Sequence, residues 1–457
     1  MNLKDRRTVL LVVLISSFVT PFMSSSVNVA LPAISKQFNL DAISLNWVAA
    51  SYLLSTAIFL LPIGRIADIY GRAGIFTAGM IIFGISSLVA GIANSYFMLL
   101  GARIVQGIGS AFVFSTGVAM LSAAYKPEIR GKMLGISVAM VYIGLTAGPF
   151  LGGYLTQMFS WRGIFLLIAP FCLAGFILSL TLTKEDSSNM QKGSIDIIGS
   201  VIYALGLLFL IYGFSLLPKK GHLFILIGIC SLVFFIFWEK KQQSPLFNLR
   251  FFTANRVFAF SNLAALINYS ATFSSGFLIS LYLQYIKGLS PDQAGLILVA
   301  SPVIMAFIAP FSGRFSDSID ARILSSIGMT VLAAGLSMLI FLNNATPTAY
   351  IVTSLIIMGT GFGVFSSPNT NAIMGAVSRK DYGMASGMLA TMRMVGQTMS
   401  MAVVMLIFSA ILGRVEIMPE HFDLFLQALR ACFILNTVIC VFGIFASLAR
   451  DKNLPLR

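Results

Sequence analysis

Acid–base, metal or nucleophilic chemistry needs particular side chains, and this chain of 457 residues holds few of them: 16 acidic residues, 2 histidines and 4 cysteines. The carboxylates fall into two sets. Asp5, Asp68, Glu128, Glu185, Asp186, Asp196, Glu239, Asp317, Asp320, Asp381 and Asp451 flank one series of loops, and Asp41, Asp292, Glu416, Glu420 and Asp423 flank the alternate series. None lies in the middle of an apolar run, where desolvation raises a carboxylate pKa towards the working range. His222 and His421 sit near run ends, and Cys172, Cys230, Cys432 and Cys440 lie inside runs without a CxxC spacing, which supports neither disulfides nor a metal site. With no HExxH pattern and no buried carboxylate pair, an enzyme is not expected, nor is a cofactor.

The apolar runs do contain cations and polar groups. Arg103 and Arg393 lie well inside such runs; an arginine there is costly, faces a polar interior and stays protonated at any relevant pH. Ser25, Asn28, Gln106, Tyr142, Asn268, Tyr269, Tyr282, Gln284, Asn369, Asn371 and Gln397 accompany them. Interhelical hydrogen bonding, worth on the order of 1 kcal/mol each, accounts for about half of that set. Within FMSSSVNVALP (residues 22–32), small hydroxyls also back-bond to their own helix.

The elements that position these groups are helices in lipid. Charged residues make up 10% of the chain, against about 25% in soluble domains, hydrophobic residues 58%, and the mean hydropathy is +0.91. Apolar runs of roughly 20 residues, enough to cross about 30 Å of hydrocarbon, recur at 9–33, 45–66, 74–92, 97–122, 132–157, 163–183, 195–216, 222–238, 256–286, 292–313, 322–342, 347–370, 383–412 and 428–449. The first is too long for a signal-peptide core and is read as a mature helix. The net charge of +14 is distributed as a topology signal: apart from Arg103 and Arg393, every Lys and Arg except Lys36, Arg162, Lys219, Lys220, Lys287, Arg414 and Arg430 falls on one side. The positive-inside rule then makes both termini cytoplasmic and the protein multi-pass in the cell membrane, with no role for nucleic acid.

Two polar breaks, KEDSSNMQKGS (184–194) and EKKQQSP (239–245), divide the runs into six, two and six. The expected parts are a six-helix bundle at 1–183, a linker with an inserted helix pair at 184–245, and a second six-helix bundle at 246–457. An internal echo supports duplication: GRIAD (64–68) follows the second run and GRFSD (313–317) the tenth, while RGKMLGI (130–136) and YGMASGM (382–388) enter runs five and thirteen. Gly64 and Gly71 allow a tight turn and Asp68 can pair with Arg72; Gly313, Arg314 and Asp317 repeat the pattern. On run five, Gly144, Gly148, Gly152 and Gly153 with Pro149 form a flat face that packs closely or flexes.

In that order and at those runs, NVALP, GRIADIYGR, ARIVQGIGSA, GLTAGPFLGG, WRGIF, SIDIIGS and SPLFNLRFF resemble the major facilitator superfamily, in its fourteen-helix drug:proton antiporter branch. The resemblance covers essentially the whole chain. It implies an all-α polytopic fold, alternating access around a central cavity lined by the polar set above, a GRIADIYGR loop that stabilises one closed face, and export of amphiphilic drugs or similar compounds by a monomer. Relatives carry an aspartate in span one as the proton-coupling group; here Met23 stands at that position, which puts proton coupling in question. Two arginines without a carboxylate suit a neutral, zwitterionic or anionic amphiphile better than a bare cation. The alternative within the same fold is a transporter of lipids or lipid precursors taken from the membrane.

Overall fold

In the computed structural model of the protein, residues 3–182, 195–218, 220–242, 245–247, 252–253, 255–316, 318–378 and 381–450 are described. Among them there is no strand, and 14 helices are long and apolar enough to cross a membrane. The helices are α1 Leu3–Phe38, α2 Ala42–Tyr70, α3 Arg72–Gly91, α4 Tyr96–Ala124, α5 Pro127–Phe159, α6 Arg162–Ser179, α7 Ile197–Ser215, α8 Gly221–Glu239, α9 Arg256–Leu281, α10 in two pieces (Pro291–Leu298 and Ala300–Phe315), α11 Ala321–Leu339, α12 Thr348–Gly375, α13 Tyr382–Ile411 and α14 Phe422–Leu448. Every run expected from the sequence is a helix.

Local sequence sets the ends. Ser95, Asn255, Asp320 and Asp196 cap α4, α9, α11 and α7 by accepting from free backbone N–H groups of the first turn. Gly71, at φ 102, makes the turn between α2 and α3 in a region that side chains disfavour. The tenth run is one apolar stretch but two helical pieces, because Pro302 has no N–H to give to Leu298 one turn back. α9 finishes in a π turn, Tyr282–Ile286.

The chain divides into two compact units, residues 1–38 with 47–247, and 39–46 with 248–457. The helix pair α7–α8 therefore groups with the first six helices. In the first unit Phe22, Phe76, Phe83, Trp161 and Phe165 are fully buried; in the second, Phe258, Phe277, Phe365, Phe408 and Phe425. Large apolar side chains such as Leu223 and Phe237 on α8 remain exposed, as a lipid-facing surface requires.

The internal echo extends to packing. On α4, a Cβ added to Gly107 would stand 2.5 Å from Tyr52 O on α2, and one on Gly109 2.7 Å from Phe83 N on α3. On α12, a Cβ on Gly361 would stand 2.5 Å from Leu332 N on α11, and Gly359 abuts Ser301 O on α10. The Gly-x-Gly pairs thus wedge α4 and α12 between equivalent neighbours, and Gly64 faces Ser115 as Gly313 faces Ser367.

Candidate functional site

In the first unit, the close approach at Gly107 brings Arg103, one turn earlier on α4, against α2. Its Nε donates to Val48 O at 3.1 Å, and its Nη1 donates to Gln106 Oε1. Gln106 Nε2 passes the connection to Ser87 Oγ on α3 at 2.7 Å. The guanidinium carbon lies 4.4 Å from the centre of the Tyr52 ring, whose hydroxyl pairs with Ser110 Oγ at 2.9 Å. No carboxylate takes part: the charge is met by a carbonyl, an amide oxygen and an aromatic face. At 1% exposure, Arg103 is a clamp holding α2, α3 and α4 together.

The face of α1 is closed in a different way. A Cβ on Gly144 would stand 2.5 Å from Phe18 O, one on Gly148 would collide with Ser25 Oγ, and one on Gly152 would stand 2.7 Å from Ser26 Cβ. The glycines of α5 therefore press it onto α1, and the helix continues through the buried Pro149 and Gly153. Ser25 Oγ donates to its own helix at Pro21 O, 2.9 Å, while Met23 and Ser26 are fully buried. Asn28 is buried and Tyr142 half-buried. At the α2–α3 turn Arg72 Nη2 stands 2.8 Å from Asp68 Oδ1, the one ion pair among the described residues.

In the second unit most of these polar residues are tied to neighbours, although Asn268 Oδ1 is buried without a partner. Asn268 gives its amide to Met329 Sδ at 3.0 Å, Tyr282 donates to Asn343 O at 2.6 Å, Gln284 to Ser280 Oγ at 3.1 Å and Asn371 to Ser316 Oγ at 2.7 Å. Asn369 Oδ1 accepts from Arg450 Nη2 at 2.6 Å. Arg450, just beyond α14, also reaches Ser447 and Ser325 and so ties α11, α12 and α14. Burial pulls its guanidinium down from the ordinary arginine value to about 10, with Asp320 opposing. Gly313 is half-buried and Arg314 exposed; Asp317 lies outside the described residues.

Arg393 on α13 is placed otherwise. It is half-buried, its guanidinium carbon lies 5.2 Å from the centre of the Tyr269 ring, and its Nε has no hydrogen-bond partner. Tyr269 meets Phe362 edge-on at 5.5 Å between centroids, and Gln397 stands half-buried one turn further along α13. Gly396 makes this possible, since a Cβ there would stand 2.7 Å from Leu266 O on α9. Arg393, Tyr269, Phe362 and Gln397 thus form a patch with a cation, two aromatic rings and unspent donors.

Sequence reasoning missed three groups. Asn436 on α14 donates to Ser274 Oγ at 3.2 Å, which also accepts from Ser400, a buried polar knot of α9, α13 and α14. Arg450 was counted with the basic tail, though its place directly after the last apolar run was the available signal. Phe362 was hidden among the other phenylalanines.

The comparisons agree with this architecture. The Major Facilitator Superfamily family model matches residues 13–261 and 261–455. The riboflavin transporter RibZ of Clostridioides difficile is 27% identical over 97% of this chain and 97% of its own length. The multidrug resistance protein Stp of Mycobacterium tuberculosis is 31% identical over 82% of this chain and 71% of its own. The cephamycin export protein CmcT of Amycolatopsis lactamdurans is 30% identical over 87% and 84%. A solved bacterial homologue of the human lysosomal transporter Spinster, inward-facing and occupied, superposes with a TM-score of 0.69 at 15% identity, covering 99% of this chain and 100% of its own, a likeness of fold. With its fourteen apolar helices and its match along nearly the whole sequence, this chain is a multi-pass membrane transporter that belongs to the major facilitator superfamily.

Proposed function

We propose that the protein is a secondary-active exporter of small amphiphilic molecules, neutral or anionic, with Arg393, Tyr269, Phe362 and Gln397 in contact with substrate. The observation that carries this reading is Arg393: a cation deep in an apolar helix, flanked by aromatic rings, with an Nε that no protein group satisfies. A guanidinium in that setting attracts an anionic or strongly accepting group, while the rings of Tyr269 and Phe362 offer stacking surface to a planar ring. Relatives whose names state multidrug resistance, cephamycin export and riboflavin transport support a small substrate, and the first two support the outward direction. The basic-residue asymmetry supports a cell membrane location with both termini in the cytoplasm. Arg103, whose Nε and Nη1 donate within its own unit, serves as structure in this reading.

The test is export of a panel of anionic, neutral and cationic aromatic compounds from cells that produce the wild-type or the Arg393→Gln protein at equal membrane abundance. Arg393→Gln is expected to abolish export of the anionic members. Undiminished export by this variant contradicts the assignment.

A further inference from the structure

The foot of the helix pair α7–α8 holds two carboxylates that the transport reading leaves unused. Asp196 caps α7, its Oδ1 accepting Gly199 N–H at 2.8 Å, and its Oδ2 accepts the indole N–H of Trp238 at 2.9 Å. Next to that tryptophan, Glu239 ends α8 at 3% exposure. Its Oε2 accepts Phe247 N–H at 3.1 Å; the Leu246 amide also faces the carboxyl, without a hydrogen-bonding geometry. Its Oε1 is buried and has no hydrogen-bond partner. The two carboxyls border one point: a Cβ added to Gly199 would collide with Asp196 Oδ2 and stand 3.1 Å from Glu239 Oε1.

No described cation is paired with either group. Lys240 and Lys241 follow on the same helix, with Lys240 Nζ 5.6 Å from the Phe237 ring, and Arg65 on α2, the helix that Tyr203 of α7 reaches through Ala57 O, forms no ion pair. With Glu239 buried, Asp196 half-buried and no described cation paired with either, two like charges here are unfavourable, and the cheapest relief is one proton between them.

We propose that Asp196 and Glu239 form a proton-binding site, the proton resting on Glu239 Oε1 and directed at Asp196 Oδ2. Loss of that proton sets the two carboxylates against each other and strengthens the hydrogen bond that Glu239 accepts from Phe247 N–H, since a charged carboxylate is the better acceptor, so protonation is felt at Phe247. The site stands whatever the substrate is, and it gives a chain with Met23 in span one a place to bind a proton.

Infrared difference spectroscopy of the full-length protein in liposomes, stepped in pH through the neutral range, tests it. The wild type is expected to show a protonated-carboxyl band that fades as pH rises, is absent in Glu239→Gln, and stays in Asp41→Asn, where the lost carboxylate caps α2. Asp196→Asn, which removes the like charge, should move the fading of the band down by about one pH unit or more. A band that persists in Glu239→Gln overturns the proposal. If Glu239→Gln does not fold, a titration unmoved in Asp196→Asn overturns it equally.

Discussion

Arg103 and Arg393 are the two arginines deep inside apolar helices, and the two units use them in opposite ways. Arg103 is consumed by Val48 O and Gln106, with Tyr52 beneath it. Arg393 keeps an unsatisfied Nε and stays partly exposed. The repeat makes the contrast sharper, because the packing register set by the Gly-x-Gly pairs matches Arg103, Gln106, Ser86 and Ser87 with Leu355, Met358, Gly335 and Leu336. The same backbone junction is polar in one unit and apolar in the other, where a Cβ on Gly335 would stand 2.6 Å from Met358 Cγ. One charge therefore holds helices together, and a junction without any charge does the same work. A buried arginine is not by itself a binding site; its unspent hydrogen-bonding capacity is what separates the two.

The largest expected effect comes from Arg103→Leu, which leaves Gln106 Oε1 and the Tyr52 face without their partner. We expect a loss of about 3 kcal/mol, read as a lower Tm and poor recovery of folded protein in detergent. Importing the whole apolar solution (Ser86→Gly, Ser87→Leu, Arg103→Leu, Gln106→Met) should recover most of that loss, since both partners of each hydrogen bond are then replaced. A quadruple variant no more stable than Arg103→Leu would break the equivalence of the two junctions.

Next come the helix seams. Gly144→Ala on α5 and Gly396→Ala on α13 each force a methyl onto a backbone carbonyl, Phe18 O and Leu266 O respectively. Each should cost about 1–3 kcal/mol, measured as a Tm shift, and Gly396→Ala should also weaken substrate binding because it displaces Tyr269. Arg393→Gln should leave Tm almost unchanged while removing transport of anionic substrates, the reverse of the Arg103 pattern. Asp68→Asn should have the smallest effect on stability, about 0–1 kcal/mol, because the Asp68 and Arg72 side chains are each 33% exposed. Its consequence, if the loop stabilises a closed face, is read in transport rate and not in Tm.

Much of the fold was legible because lipid imposes a strong rule: a backbone without water must satisfy itself, so runs of roughly 20 apolar residues become helices. The division of the tenth run was not read from the sequence, because hydropathy passes over Pro302. The site was less legible. Periodicity marks which residues lie deep in a helix but not which neighbours they reach, so Arg103 and Arg393 look alike in sequence. Asn369 and Tyr282 read as lining groups, and only tertiary packing shows them tied to Arg450 and Asn343. Arg450 itself looked like one more basic residue at a membrane face.

The most direct test of the account is substrate charge. Protein reconstituted in liposomes is offered aromatic probes of matched size that are anionic, neutral or cationic, and their transport is followed in wild type and in Arg393→Gln. The account predicts that the wild type moves the anionic and neutral probes and leaves the cation behind, and that Arg393→Gln loses the anionic probe first. Transport of the cationic probe at an equal or greater rate, unaffected by Arg393→Gln, would contradict it.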